Sequence, residues 1–150
     1  MKPVLQALIL AERVYEDVSH KKIIVGTFST ILIAPIRDVI EEQADGTKFR
    51  LIPGGTDPGC PSVYVSLTDV VDGTEIVIQV ANLTKNLVLF QSPTMRLTPN
   101  SRISSVEIIA PLPPLSPFIT EAGNYSLDVI WKGEILGSYR IFVQETPKSN

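Results

Sequence analysis

The chain has 150 residues, 44% of them hydrophobic and 19% charged, with a net charge of -3. A chain this apolar buries enough surface to offset its ordering entropy, which excludes disorder as the main state, and its length suits one domain over residues 1–150. Its longest unbroken apolar run, residues 31–36, falls far short of the roughly 20 residues of a membrane-spanning helix, and its basic residues are too scattered for the stripe that nucleic-acid binding needs.

Val, Ile and Thr make up 43 of the 150 residues. Side chains branched at Cβ are stiff at χ1 and fit a pleated surface, so strands are expected throughout. Residues 4–11 read as the first strand. Their apolar stretch, 7–11, is too short and too closely bounded by Gln6 and Glu12 for an export signal. A polar loop over 16–21 leads to a second strand over 23–34. Ile36, Val39 and Ile40 stand at helical spacing, so one short helical turn is expected within 36–44. A strand at 48–52 precedes a segment, 53–61, with three prolines and three glycines, which reads as an exposed, mobile loop.

The middle of the chain carries the clearest alternation. Val63, Val65 and Leu67 share one face of residues 62–68, and Ile76, Ile78 and Val80 share one face of 75–80. Asp72-Gly73 between them suits a tight hairpin turn. Further strands are expected at 87–91 and 103–109. The stretch 111–117 holds four prolines and two overlapping PxxP spacings, and its Leu112, Leu115 and neighbouring Phe118 favour a structural crossover over a ligand for an aromatic groove. The chain then closes on a second hairpin. Tyr125, Leu127, Val129 and Trp131 lie on one face with Ser126 and Asp128 opposite, Lys132-Gly133 turns, and Tyr139, Ile141 and Val143 return on one face of 135–143. Residues 146–150 form a short tail. About seven to nine strands with turn signals between them imply an all-β, antiparallel β-sandwich, in which Leu127 and Trp131 are buried.

Chemistry is sparse. The single histidine, His20, excludes any site needing two imidazoles, and Cys60 has no partner for an internal disulfide, which favours a reducing, cytoplasmic location. Nucleophilic catalysis would require Cys60 or a serine to meet His20, and nothing in the spacing brings them together. No catalytic set and no cofactor motif is expected. Asp69, Asp72 and Glu75, clustered around one turn, are the candidate metal ligands, with Asp57 in an earlier loop. Calcium takes six to eight oxygens, more than these carboxylates offer. Asn82-Leu83-Thr84 and Asn124-Tyr125-Ser126 fit the glycosylation pattern but, without export, mark only turns near strand ends.

The two ends carry a resemblance. Residues 5–17, LQALILAERVYED, with 22–28, KIIVGTF, resemble the opening of a small bacterial protein family of unknown function. So does the close, from Pro111-Leu112-Pro113 through Gly123-Asn124-Tyr125-Ser126-Leu127 to Gly133-Glu134-Ile135-Leu136-Gly137. The closing hairpin is also similar to the last two strands of immunoglobulin-like domains, which implies an immunoglobulin-like sandwich but assigns no function. Missing catalytic parts, long apolar strands such as 23–34 and the loop at 53–61 together point to a non-enzymatic protein-interaction or assembly module. Its partner is a second protein or a second copy of the chain. The alternative is a calcium- or small-molecule-binding sandwich.

Overall fold

The alternating segments fold as strands that divide between two large sheets. The computed structural model describes residues 1–33, 40–42, 48–50, 60–101 and 103–145. In chain order the strands are β1 (Val4–Glu16), β2 (Lys22–Thr27), β3 (Thr30–Ile33), β4 (Ile40–Glu42), β5 (Lys48–Arg50) and β6 (Ser62–Thr68). There follow β7 (Thr74–Asn82), β8 (Leu87–Gln91), β9 (Met95–Leu97), β10 (Val106–Pro111), β11 (Gly123–Trp131) and β12 (Glu134–Glu145). One sheet runs β10-β6-β1-β2 and the other β3-β12-β11-β7-β8, with β9 also on β7 and a separate β4-β5 ladder. Among the described residues there is no helix.

The inward faces of both large sheets meet in one core. Leu10, Val63, Val65, Leu67 and Ala110 come from the first sheet, and Ile31, Ile33, Ile76, Ile78, Val80, Tyr125, Leu127, Val129, Ile141 and Val143 from the second. The molecule is thus all-β and sandwich-like, as the alternation implies. Leu127 is fully buried, as expected. Trp131 is not: it lies at the end of β11, half-buried against the edge of the core.

Several expectations need correction. β6 and β7 are not a hairpin, because they belong to different sheets and residues 69–73 carry the chain across the sandwich. Asp72-Gly73 does form a tight turn, closed by the Thr74 N–H on the Val71 carbonyl at 3.0 Å. However, only Gly73 of the pair has a positive φ, and Val70 plugs into the core.

The strand expected over 23–34 is two strands in different sheets. Phe28 forms the corner. Its N–H reaches Leu10 O on β1 at 3.3 Å, while its own carbonyl accepts the Tyr139 hydroxyl of β12 at 2.8 Å. That switch sends β3 alongside β12 in the parallel direction, so the second sheet is mixed rather than antiparallel. β1 is longer than expected and pairs with β2 as a hairpin around the polar turn, where Asp17 Oδ1 accepts the Ser19 and Lys21 N–H groups.

Residues 40–42 are a strand and not part of a helical turn; the rest of that turn, and residues 51–59 and 146–150, lie outside the described residues. β10 starts three residues later than expected, leaving Ile103 almost wholly exposed. The proline-rich crossover holds: it links β10 to β11 across the sandwich, with Leu112, Leu115 and Ile119 buried. Phe118 sets its ring against Phe90, with centroids 5.9 Å apart.

Candidate binding pocket between two turns

The β6–β7 crossing and the β11–β12 turn lie side by side and enclose an open pocket of about 400 Å³. Each turn forms for a local reason. Lys132 and Gly133 both take positive φ, 47° and 76°, which is the type I′ geometry that matches the twist of paired strands. At the crossing, the Gly73 N–H binds the Leu97 carbonyl at 3.1 Å, which ties the turn to β9. Trp131 and Ile130 line one wall, and Val71 to Glu75 with Val77 the other, closed off by Thr94 and Met1.

The charges are arranged around an aromatic surface. The Lys132 ammonium sits 4.9 Å from the centroid of the Trp131 ring, a cation held over the ring's negative face. Asp72 and Glu75 line the same pocket. Of the three candidate metal ligands, then, two share a site and Asp69 does not line it; Asp69 is exposed in a left-handed conformation at φ 57°. Among the described residues, no three His, Cys, Asp or Glu side chains converge as metal ligands would. Trp131 and Lys132 are the site residues that sequence reasoning placed only in a core and a turn.

His20 and Cys60 stand apart from this pocket. His20 is exposed at the tip of the β1–β2 hairpin, its Nδ1 2.6 Å from Glu16 Oε1, and Glu16 Oε2 also accepts Lys22 Nζ at 2.6 Å. Hydrogen bonds from Lys22 and then from His20 hold the Glu16 carboxyl below its ordinary range, and the bond to Glu16 raises Lys22. Lys22 is raised further by the charges of Glu107 on β10 and Tyr64 on β6. The Cys60 thiol is exposed and free.

A polar ladder on the outer face of the second sheet is a further departure from the sequence reading. Ser126 and Asp128 face away from the core yet are only 2% and 3% exposed. Asp128 accepts hydrogen bonds from Ser138 Oγ at 2.6 Å and from Gln79 Nε2 and Ser126 Oγ at 3.2 Å, while Gln91 Nε2 donates to Gln79 Oε1 at 2.9 Å. Four strands are therefore linked across one row, and the buried carboxylate is solvated by protein dipoles. Nothing reactive joins the row.

Among the described residues, no helix is long and apolar enough to cross a membrane. No protein-family model matches the chain, and a search of the curated proteins finds no significant similarity.

Proposed function

We propose that this chain is a non-enzymatic, cytoplasmic protein-interaction or assembly module. The observation that carries this reading is β10, a regular strand with apolar inward residues that, among the described residues, ends its sheet without a partner strand on its outer side. Such an edge presents unpaired backbone groups to another chain. The exposed, unpaired Cys60 thiol fits a reducing compartment. Light scattering over about a hundredfold range of concentration tests the reading, since association follows mass action. A rising mass is expected, and a strict monomer removes self-association.

The proposal includes an immunoglobulin-like arrangement, in line with the resemblance of the chain's two ends. In that fold one sheet sets strands A, B and E side by side and the other sets C, F and G side by side. Reading β1, β6 and β10 as A, B and E, and β7, β11 and β12 as C, F and G, reproduces both orders. Tyr125 adds support. It is buried near the start of β11, and its hydroxyl donates to the Glu121 carbonyl four residues upstream at 2.8 Å, as a tyrosine corner does.

The pocket favours a second reading, as a small-molecule or cation site. Two acidic residues beside the Trp131 ring suit a positively charged ligand, calcium or an organic amine, and an amine would take the ring face only by displacing the Lys132 ammonium. A ligand bound to the native state raises the melting temperature. A shift with calcium or with a simple amine, abolished in the double variant Asp72→Asn with Glu75→Gln, favours this reading; no shift with either removes it.

A further inference from the structure

The edges of the two large sheets differ in how they are finished. β2 contains Gly26 at φ 69° inside the strand. β8 carries an extra residue, Leu89, opposite the Val80–Ala81 step, and β3 has four residues and leads into residues outside the described ones. Kinks, bulges and short strands are the devices that keep edges from pairing. β10 has neither kink nor bulge, its six residues keeping unbroken register with β6, and the only guards on its open side are Glu107 and the terminal Pro111.

The phase of β10 says which backbone groups are free. The N–H of Leu112, next after the strand, donates to Pro61 O on the β6 side at 2.8 Å. Backbone groups alternate along an antiparallel strand, so Val106, Ile108 and Ala110 also turn to β6. The N–H and C=O of Glu107 and Ile109 point to the open side, together with the C=O of Pro111, which has no N–H. Among the described residues, no backbone hydrogen bond from a turn or loop reaches Glu107 or Ile109. The Glu107 carboxylate accepts the Tyr64 hydroxyl at 3.0 Å across its own sheet. Val106 and Ile108 lean on the core but stay half-exposed.

We infer that a second copy of this chain joins at β10, edge to edge and antiparallel, about a two-fold axis at Ile108. The inference rests on the interaction-module reading and names its partner. Three registers put open-side residues opposite one another near the strand's centre. Setting Glu107 against Glu107 brings like charges face to face. Setting Glu107 against Pro111 loses the bonds that a proline cannot donate. Setting Glu107 against Ile109 keeps two hydrogen-bonded pairs, places Ile108 against its own counterpart and sets Val106 opposite the smaller Ala110. The apolar inward row then runs from one molecule into the next, and the two carboxylates stand diagonally apart. A strand this short makes a small interface, so the dimer is weak and forms with concentration.

Sedimentation equilibrium on the full chain, over about a hundredfold range of concentration, reads the association itself. Ile109→Pro deletes one open-side donor while leaving every bond to β6, and weakens dimerisation about tenfold or more. Ile108→Cys in a Cys60→Ser background reads the register, because a non-hydrogen-bonded pair brings the two Cβ atoms within disulfide reach. Oxidation links that variant into a dimer, whereas Glu107→Cys in the same background, diagonal to itself, links poorly. A dimer that ignores Ile109→Pro and gives no Ile108→Cys link overturns the β10 assignment while the self-association reading stands. A strict monomer throughout overturns both.

Discussion

Two connections in this chain carry nearly the same local signal, a charged residue followed by glycine between alternating strands, and they do different jobs. Lys132-Gly133 joins β11 to β12 as neighbours in one sheet, with both residues at positive φ. Asp72-Gly73 closes a longer connection that begins at Asp69, also at positive φ, and delivers the chain to the opposite sheet. The difference is Val70. A hydrophobic side chain inside a turn finds burial only if the backbone leaves the plane of its sheet, and here it reaches the core with 1% of its surface exposed. Alternation fixes which face a strand buries, while the residues of the connection decide which strand becomes its neighbour.

The largest test of this contrast is truncation on each side of it. Leu127→Ala, at the centre of the true hairpin, is expected to cost about 2–5 kcal/mol by urea unfolding. Val70→Ala is expected to cost about 2 kcal/mol, the burial energy of a core valine. A surface turn residue would cost nearly nothing, so a neutral Val70→Ala result breaks the comparison.

Trp131→Ala comes next. The ring is half-buried at the pocket, so the loss should fall below the about 3–5 kcal/mol of a fully enclosed tryptophan. Loss in the full core range, measured by the same unfolding curve, would place the ring in the core after all.

The glycines sharpen the comparison at smaller scale. Gly73→Ala and Gly133→Ala each force a side chain into left-handed backbone, which costs about 1–2 kcal/mol. A Cβ at Gly133 meets nothing within 4 Å, and at Gly73 its nearest neighbour is Arg96 Nη2 at 3.3 Å, the far end of a flexible side chain. The two variants should therefore lose similar stability in thermal unfolding. A much larger loss at Gly73 would mean that the crossing, with its bond to Leu97, tolerates less adjustment than the hairpin.

Much of this fold is legible where the signal is local. Period-two alternation places Val63, Val65, Leu67, Ile76, Ile78, Tyr125 and Leu127 in the core, as found. It fails where the outcome depends on distant strands. The break at Phe28 is set by acceptors and donors on β1 and β12, which no window around residues 23–34 contains. Ser126 and Asp128 look like a solvent face until Gln79 and Ser138 arrive from the flanking strands to bond Asp128, with Gln91 on the next strand bonding Gln79. The pocket is half legible for the same reason: Asp72 and Glu75 form a visible cluster, but Trp131 and Lys132 join it only through the sheet order.

A third turn, at the tip of the β1–β2 hairpin, gives the smallest and most specific test, because ionic bonds rather than burial hold it. Glu16 accepts Lys22 and His20 together, and its folded pKa lies below the ordinary glutamate range, chiefly through the Lys22 hydrogen bond. A depressed carboxylate contributes stability above its unfolded pKa and loses it as pH falls through the lower folded value, so the contribution fades below about pH 4. Lys22 is shifted upward by the same pair, so its share holds through neutral pH and fades only above about pH 10. All three groups are solvent-accessible, so the effect is small and salt weakens it further. NMR titration should find the Glu16 carboxyl midpoint below the ordinary glutamate range, and Lys22→Met should move it up toward the ordinary value. An unmoved midpoint would mean that the tip is held by the Asp17 bonds to Ser19 and Lys21 alone.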